Sequence, residues 1–121
     1  MRTTALERDI QRACSDWLSD VLPETIVFRR NVGALKKGNH FIRFAEKGAS
    51  DLWGLTKGVH FEVEVKRPGN TLTKEQTLWL VQIAEYGGIA LWTDSLRDLV
   101  LKMKVEYEGR GWTWNENWEV W

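Results

Sequence analysis

Glu62, Glu64 and Lys66 recur at every second position between Phe61 and Arg67, a spacing that puts two carboxylates and an ammonium on one face of a β-strand. Taken alone, such a stripe is ordinarily a solvated strand face. Here the strand runs directly into a segment with helical spacing, so it belongs in the middle of a sheet covered on both sides. In that setting a row of charges is costly unless it is paired or bound to a metal ion. Asp51 adds a carboxylate 13 residues before Glu64, and an antiparallel register between the two segments brings the acids within a few ångströms of each other. Carboxylates and a lysine that converge in this way form an oxygen-only pocket suited to Mg2+, which keeps several waters and takes one or two carboxylates plus substrate phosphate oxygens. The Lys66 ammonium would orient an attacking water and offset the charge that builds on the phosphoryl oxygens.

Each of these residues also has a plainer role. Asp51 after Gly48-Ala49-Ser50 fits an ordinary turn. Glu7 stands three residues after Thr4, and Gln76 three after Thr73, both at the spacing of a capping box. His60 suits a strand face, and Cys14 suits the buried side of a helix as a small hydrophobe. A single cysteine excludes an internal disulfide and a multi-cysteine zinc site, which leaves hard-cation chemistry as the metal chemistry the sequence supports.

The elements that must position these groups are read from periodicity. Leu6, Ile10, Ala13, Trp17, Leu18 and Val21 form one helical stripe, predicting a helix over 5–21 that Pro23 ends. Thr25–Val32 and Asn39–Ala45 are β-branched and aromatic runs, expected as strands joined by a basic loop over Gly33–Gly38. Asp51–Leu55 and Val59–Arg67 form a hairpin closed by Thr56-Lys57-Gly58, the second strand alternating apolar Val59, Phe61, Val63 and Val65 with His60, Glu62, Glu64 and Lys66. A helix follows from Thr73 to Gly87, then a buried strand Ile89–Thr93, then a helix bearing Leu96, Leu99, Val100 and Met103. A meander followed by a strand-helix-strand crossover gives an α/β fold, a mixed β-sheet flanked by helices. At 121 residues this is one domain over 1–121, with a core at about 5–104 and a Trp-rich tail over 105–121.

Seventeen basic residues balance seventeen acidic ones, which excludes a uniformly basic nucleic-acid coat protein; at 43% hydrophobic and 28% charged the composition is that of a folded chain. No apolar run reaches the roughly 20 residues of a bilayer span, and the first residues lead into a charged amphipathic segment with no secretory character, so a soluble cytoplasmic protein without membrane contact is expected.

Gly48-Ala49-Ser50-Asp51-Leu52, then Phe61-Glu62-Val63-Glu64-Val65-Lys66-Arg67, then Leu72-Thr73-Lys74-Glu75-Gln76, resembles the VRR-type nuclease branch of the PD-(D/E)XK superfamily, common in phages and in DNA-repair enzymes. The resemblance covers roughly Glu7 to Thr93. It implies a restriction-endonuclease-like fold and a Mg2+-dependent DNA endonuclease, with Mn2+ able to substitute. Asp51 and Glu64 resemble the metal-binding acids, Lys66 the catalytic lysine, and the backbone carbonyl of Val65 a further metal ligand. Glu7 resembles the acid contributed by the first helix and Gln76 the glutamine after the catalytic strand, each standing beside its capping reading. Glu62 matches no catalytic position and fits a structural or supporting acid. Ser50 replaces the proline of the superfamily pattern at a position that makes no chemical contact. Small phage-type members of this branch imply a homodimer acting on branched DNA such as four-way junctions, which a two-fold arrangement suits because it offers two sites to two symmetry-related strands.

Charge is segregated in a way that fits DNA. Between Phe28 and Lys47 lie six basic residues, Arg29, Arg30, Lys36, Lys37, Arg43 and Lys47, against the single acid Glu46. They form a candidate phosphate-binding patch whose plainer reading is a solvated hairpin. Of eight tryptophans, four fall in the last ten residues, among acids that would repel phosphate, so packing onto the chain's own sheet or across a subunit interface is expected of them. Two other classes remain: a non-catalytic DNA-binding or assembly subunit with a nuclease-like fold, and a Trp-rich interaction module that binds no metal.

Overall fold

The apolar stripe at the start of the chain becomes α1 (Leu6–Asp20), which buries Cys14, Trp17 and Leu18 against a β-sheet. The structure, a computed structural model, describes residues 6–30, 34–37, 40–43 and 47–119, with 34–37 and 40–43 described as backbone. After α1 come β1 (Thr25–Arg29), β2 (Ala34–Lys37), β3 (His40–Arg43), β4 (Leu52–Thr56) and β5 (Val59–Val65), then α2 (Lys74–Glu85), β6 (Ile89–Thr93), α3 (Leu96–Gly109) and a short 3-10 turn at Glu116–Trp118. Four strands form one mixed sheet in the order β1-β4-β5-β6, antiparallel except for the parallel pair β5 and β6 that α2 connects. This is the expected α/β layout of a mixed sheet flanked by three helices.

The pairing inside the meander differs from the sequence reading. β1 pairs with β4, Thr25 opposite Thr56 and Arg29 opposite Leu52, and not with the strand that follows it. The segment expected to be a loop, Gly33–Gly38, contains β2, which pairs with β3 as a separate two-stranded hairpin. Ala34-Leu35-Lys36-Lys37 has no β-branched residue, so local propensity gives no strand signal there and the partner strand sets it. Gly54 allows β1 and β4 their close approach, since a Cβ at this position would meet the Ile26 carbonyl oxygen at 1.9 Å.

Phe61, Val63 and Val65 of β5, with Leu52 and Ile89 beside them, point to the side where α1 and α3 supply Leu18, Leu99, Val100, Met103 and Tyr107. Burying each such side chain is worth about 1.5–3 kcal/mol. α3 continues past Lys104, where the sequence reading stopped, because Tyr107 prolongs its buried stripe and bonds its hydroxyl to Thr56 Oγ1 at 2.5 Å. The tail then folds back. The rings of Trp112, Trp114 and Trp118 meet the Tyr107 ring edge-on at 5.0, 5.5 and 6.0 Å, and Trp17 Nε1 donates to the Trp118 carbonyl at 2.8 Å. Of the two packing readings for the tryptophans, these three take the chain's own core, against α1 and α3. Cys14 is fully buried, and burial, reinforced by the charge of Asp98, pushes its thiol up to about 12, so it acts as the small hydrophobe expected. Among the described residues no helix is long and apolar enough to cross a membrane.

Candidate active site

β5 is covered on both faces, so its acidic side is a buried one: Glu62 is 1% and Glu64 4% exposed. The face opposite the apolar core lies under α2, and the two acids are treated there in opposite ways.

Glu62 is fully paired. Arg30 Nη1 and Nη2 donate to its two oxygens at 2.6 and 3.2 Å, Trp79 Nε1 from α2 donates at 2.9 Å, and His60 Nε2 lies at 2.7 Å. Burial would raise this carboxyl, but the bonds from Arg30, Trp79 and His60 more than reverse it and hold the pKa below the usual range. The Arg30 guanidinium also sits between the Trp53 and Trp79 rings, 5.7 and 5.4 Å from their centroids, and donates to the Ser50 carbonyl at 3.1 Å. Glu62 thus acts as the structural acid the sequence reading allowed. Arg30, expected in the phosphate-facing patch, is drawn inward to neutralise it.

Glu64 is under-paired. Gln76 Nε2 donates to its Oε2 at 3.0 Å, while its Oε1 is buried with no hydrogen-bond partner among the described residues. Burial first, then the adjacent charge of Asp51 and a hydrogen bond that the protonated carboxyl can give Asp51, push its pKa up to about 9; Lys66 pulls the other way and Glu7 adds a further push. Asp51 reaches this position because Leu52 pairs with Val63, which sets Asp51 across from the end of β5, where its Oδ2 accepts the Val65 N–H at 2.9 Å. The antiparallel register that brings the two acids together, which the sequence alone does not fix, is the one found. Gly48, at φ +86°, permits the approach: a Cβ there would lie 2.5 Å from the Glu75 carbonyl oxygen in the first turn of α2.

Around Glu64 the structure therefore gathers Asp51, Lys66, Gln76 and Glu7. Lys66 is half-buried just beyond β5, held by its N–H to the Thr93 carbonyl at 2.9 Å. Glu7 is half-buried in the first turn of α1; its capping partner Thr4 lies outside the described residues. Gln76 does what the two sequence readings had set apart. Its Oε1 accepts the Thr73 N–H at 2.9 Å and its N–H bonds Thr73 Oγ1, a complete capping box, while the other end of the same amide reaches Glu64. Val65, expected to offer its carbonyl to a metal, is the residue whose N–H fixes Asp51.

The basic patch is dispersed. Arg29 is exposed and donates to Gln11 Oε1 at 2.6 Å on the α1 side of the sheet, and Lys47 is exposed 3.6 Å from Glu75. Lys36, Lys37 and Arg43 lie on the β2–β3 hairpin, where their side chains are outside the described residues.

Among the described residues no three His, Cys, Asp or Glu side chains cluster closely enough to share one ion. The Asp51–Glu64 pair nonetheless fits a hard divalent cation: two adjacent carboxylates, one with a buried oxygen that lacks a partner and is driven to hold a proton when no cation is near, match the one or two carboxylates that Mg2+ accepts.

The sequence reading missed the Arg30, Trp53 and Trp79 arrangement around Glu62. Its signal was present in part, since a buried-strand glutamate requires a cation, but the tryptophan from α2 becomes visible only once the helix is docked. No protein-family model matches the chain, and no curated protein matches it.

Proposed function

We propose that the chain is a metal-dependent endonuclease of restriction-endonuclease-like fold that hydrolyses phosphodiester bonds in structured or branched DNA, of the Holliday-junction-resolving kind, acting as a homodimer in the cytoplasm. The observation that carries this reading is the buried Asp51–Glu64 pair beside Lys66, with Glu64 Oε1 lacking a hydrogen-bond partner among the described residues. The motif resemblance to the VRR-type branch supports it, since the residues that resemble metal-binding acids and lysine are those that converge.

Asp51 and Glu64 would hold Mg2+ or Mn2+, with the Val65 carbonyl as a further ligand; Glu7, which does not cluster with the two acids closely enough to share the ion, would act on the site through its charge. Bound there, the cation would supply Lewis-acid stabilisation of charge at the scissile phosphate. The remaining work belongs to the chain's own groups. Lys66 brings an ammonium to the phosphate, where it orients the attacking water and stabilises the charge that develops in the transition state. Gln76 fixes the rotamer of Glu64, and the Val65 N–H fixes Asp51.

The test is cleavage of end-labelled four-way junction, flap, duplex and single-stranded DNA with Mg2+ or Mn2+, with Lys66→Ala beside the wild type. Metal-dependent cutting of branched DNA that the variant loses, while folding normally, is the expected result. Near wild-type turnover by Lys66→Ala overturns the assignment of the lysine. No cutting of any substrate by folded, cation-loaded protein assigns the chain instead to a non-catalytic DNA-binding or assembly subunit.

A further inference from the structure

The sheet face that carries Asp51 and Glu64 is covered over half its width. α2 packs on β5 and β6, and among the described residues no helix covers β1 and β4 on this side. Register places Ile26 opposite Leu55 and Phe28 opposite Trp53, with Trp53 opposite Glu62 and Leu55 opposite His60, so all six side chains share the face of Glu62 and Glu64. Ile26, Phe28 and Leu55 are accordingly exposed.

Three rings stack across this open half. Phe28 lies on Trp53 at 4.9 Å and 30° between planes, and Trp53 on His60 at 5.8 Å and 28°. The stack ends at Phe28, on the edge strand β1, and Phe28 is 43% exposed. A row of stacked rings with an open end is complementary to another flat ring, more than to an aliphatic side chain. What that ring belongs to follows from the neighbourhood. Trp53 stands two residues along the chain from Asp51, and Phe28 one strand over, so Phe28 is about 7 Å along and about 5 Å across from Asp51 and about 10 Å across from Glu64 on β5, the rise of about three stacked nucleotides. The chain also leaves this sheet after β1 ends at Arg29 and re-enters it at Leu52, and the sequence between carries Lys36, Lys37 and Arg43, so positive charge for a phosphate backbone is attached at the same end of β1.

The geometry points to a base-stacking platform: Phe28, backed by Trp53 and His60, receives an unpaired nucleobase about three nucleotides from the phosphate presented to Asp51 and Glu64. The placement of the cut rests on the nuclease reading above; the binding does not. Bases inside a duplex are already stacked and cannot be offered to the ring, so the platform selects DNA with unpaired nucleotides beside the scissile bond over fully paired DNA.

The test uses the full chain without divalent cation, with fluorescence anisotropy of a labelled oligothymidine and of a blunt duplex of equal length. Phe28→Leu is expected to weaken oligothymidine binding about tenfold, Phe28→Tyr to stay within about twofold of wild type, and duplex binding to change by less than about twofold in either. Overlaid circular dichroism and melting curves establish that both variants fold. Oligothymidine binding within about twofold of wild type in Phe28→Leu, or an equal loss on duplex, overturns the platform. So does a wild-type dimer, seen by light scattering, that Phe28→Leu dissociates, because the face then belongs to a second copy. Cleavage in Mg2+ is measured separately: a wild type that cuts nothing yet binds oligothymidine through Phe28 defeats the nuclease reading alone, and a wild type that cuts while Phe28→Leu binds unchanged defeats the platform alone.

Discussion

Gln76 Nε2 donates to Glu64 Oε2 at 3.0 Å while Oε1 of the same side chain accepts the Thr73 N–H at 2.9 Å, so one amide starts α2 and orients the central acid of the site. Its two ends have opposite hydrogen-bonding character, which is why a glutamine can serve both and a glutamate could not without setting a second carboxylate against Glu64. Two variants separate the roles. Thr73→Ala removes the cap alone and should lower stability by about 1 kcal/mol in urea unfolding, with cleavage of a branched substrate little changed. Gln76→Ala removes both bonds and should lose a comparable stability together with at least about tenfold in turnover, roughly the effect of misplacing one reacting group. Equal turnover in the two variants would confine Gln76 to the cap.

The neighbouring acid calls for the opposite experiment. Glu62 is 1% exposed and its charge is carried mainly by Arg30. Replacing Arg30 by Met leaves a buried carboxylate without its cation and should cost about 3–5 kcal/mol in chemical denaturation at neutral pH, whereas Glu62→Gln, which also retires the charge, should cost less. The pH dependence has a definite sign. A carboxyl held below its usual range contributes stability above about pH 4.5 that is lost as pH falls through its native value. Arg30→Met should therefore flatten the acid limb of the stability curve, and an unchanged limb would show that Arg30 is not what holds Glu62 ionised.

How far these arrangements were legible in the sequence depends on whether the signal was local. The alternation from Val59 to Lys66 identified β5 and both of its faces, and the step into a crossover helix correctly implied that the charged face is covered. The sequence put Asp51 near Glu64 for one antiparallel register without fixing that register; the pairing of Thr56 with Val59 at the turn and of Leu52 with Val63 supplies it. Arg30 was different. In sequence it belongs to a basic cluster, and only docking of β1 beside β4 brings it to Glu62, a non-local event that composition cannot report. β2 escaped for a related reason, since Lys36 and Lys37 resemble a solvated loop until His40–Arg43 pairs with them. The end of α3 was a misreading of available signal: Leu99, Val100, Met103 and Tyr107 continue one helical stripe that ends at the Arg110 cap, followed by Gly111 at φ +77°.

The tryptophans at the end of the chain make a stability prediction. Trp118 touches the Tyr107 and Trp114 rings at 6.0 and 5.0 Å, and its carbonyl accepts the Trp17 indole N–H, so the tail is a lid on the α1 and α3 side of the core. Trp118→Ala should cost about 3 kcal/mol in thermal or urea unfolding, near the lower end for a buried aromatic because the residue is partly exposed. It should leave cleavage rates unchanged at temperatures where the variant is folded, since the tail packs on the sheet face opposite Glu64. Loss of turnover in folded Trp118→Ala would mean that the tail touches substrate.

The last prediction uses the electrostatic conflict at the site itself. With no cation, burial and the charge of Asp51 raise the Glu64 pKa from an ordinary 4.5 to about 9. A group whose native pKa lies above its unfolded one contributes stability that is fully present below the unfolded value and is lost as pH rises through the native value. In a chelated sample the melting temperature should therefore fall steadily between about pH 5 and pH 9, and Glu64→Gln, which cannot ionise, should abolish that slope. A divalent cation reverses the logic, because it binds the ionised pair and displaces the proton. Millimolar Mg2+ should raise the melting temperature more at pH 9 than at pH 6, and its binding, followed by calorimetry in buffers of different ionisation enthalpy, should release protons at neutral pH. Mg2+ binding with no proton release, or the same stabilisation in Asp51→Asn and Glu64→Gln as in wild type, would place the ion away from these two carboxylates.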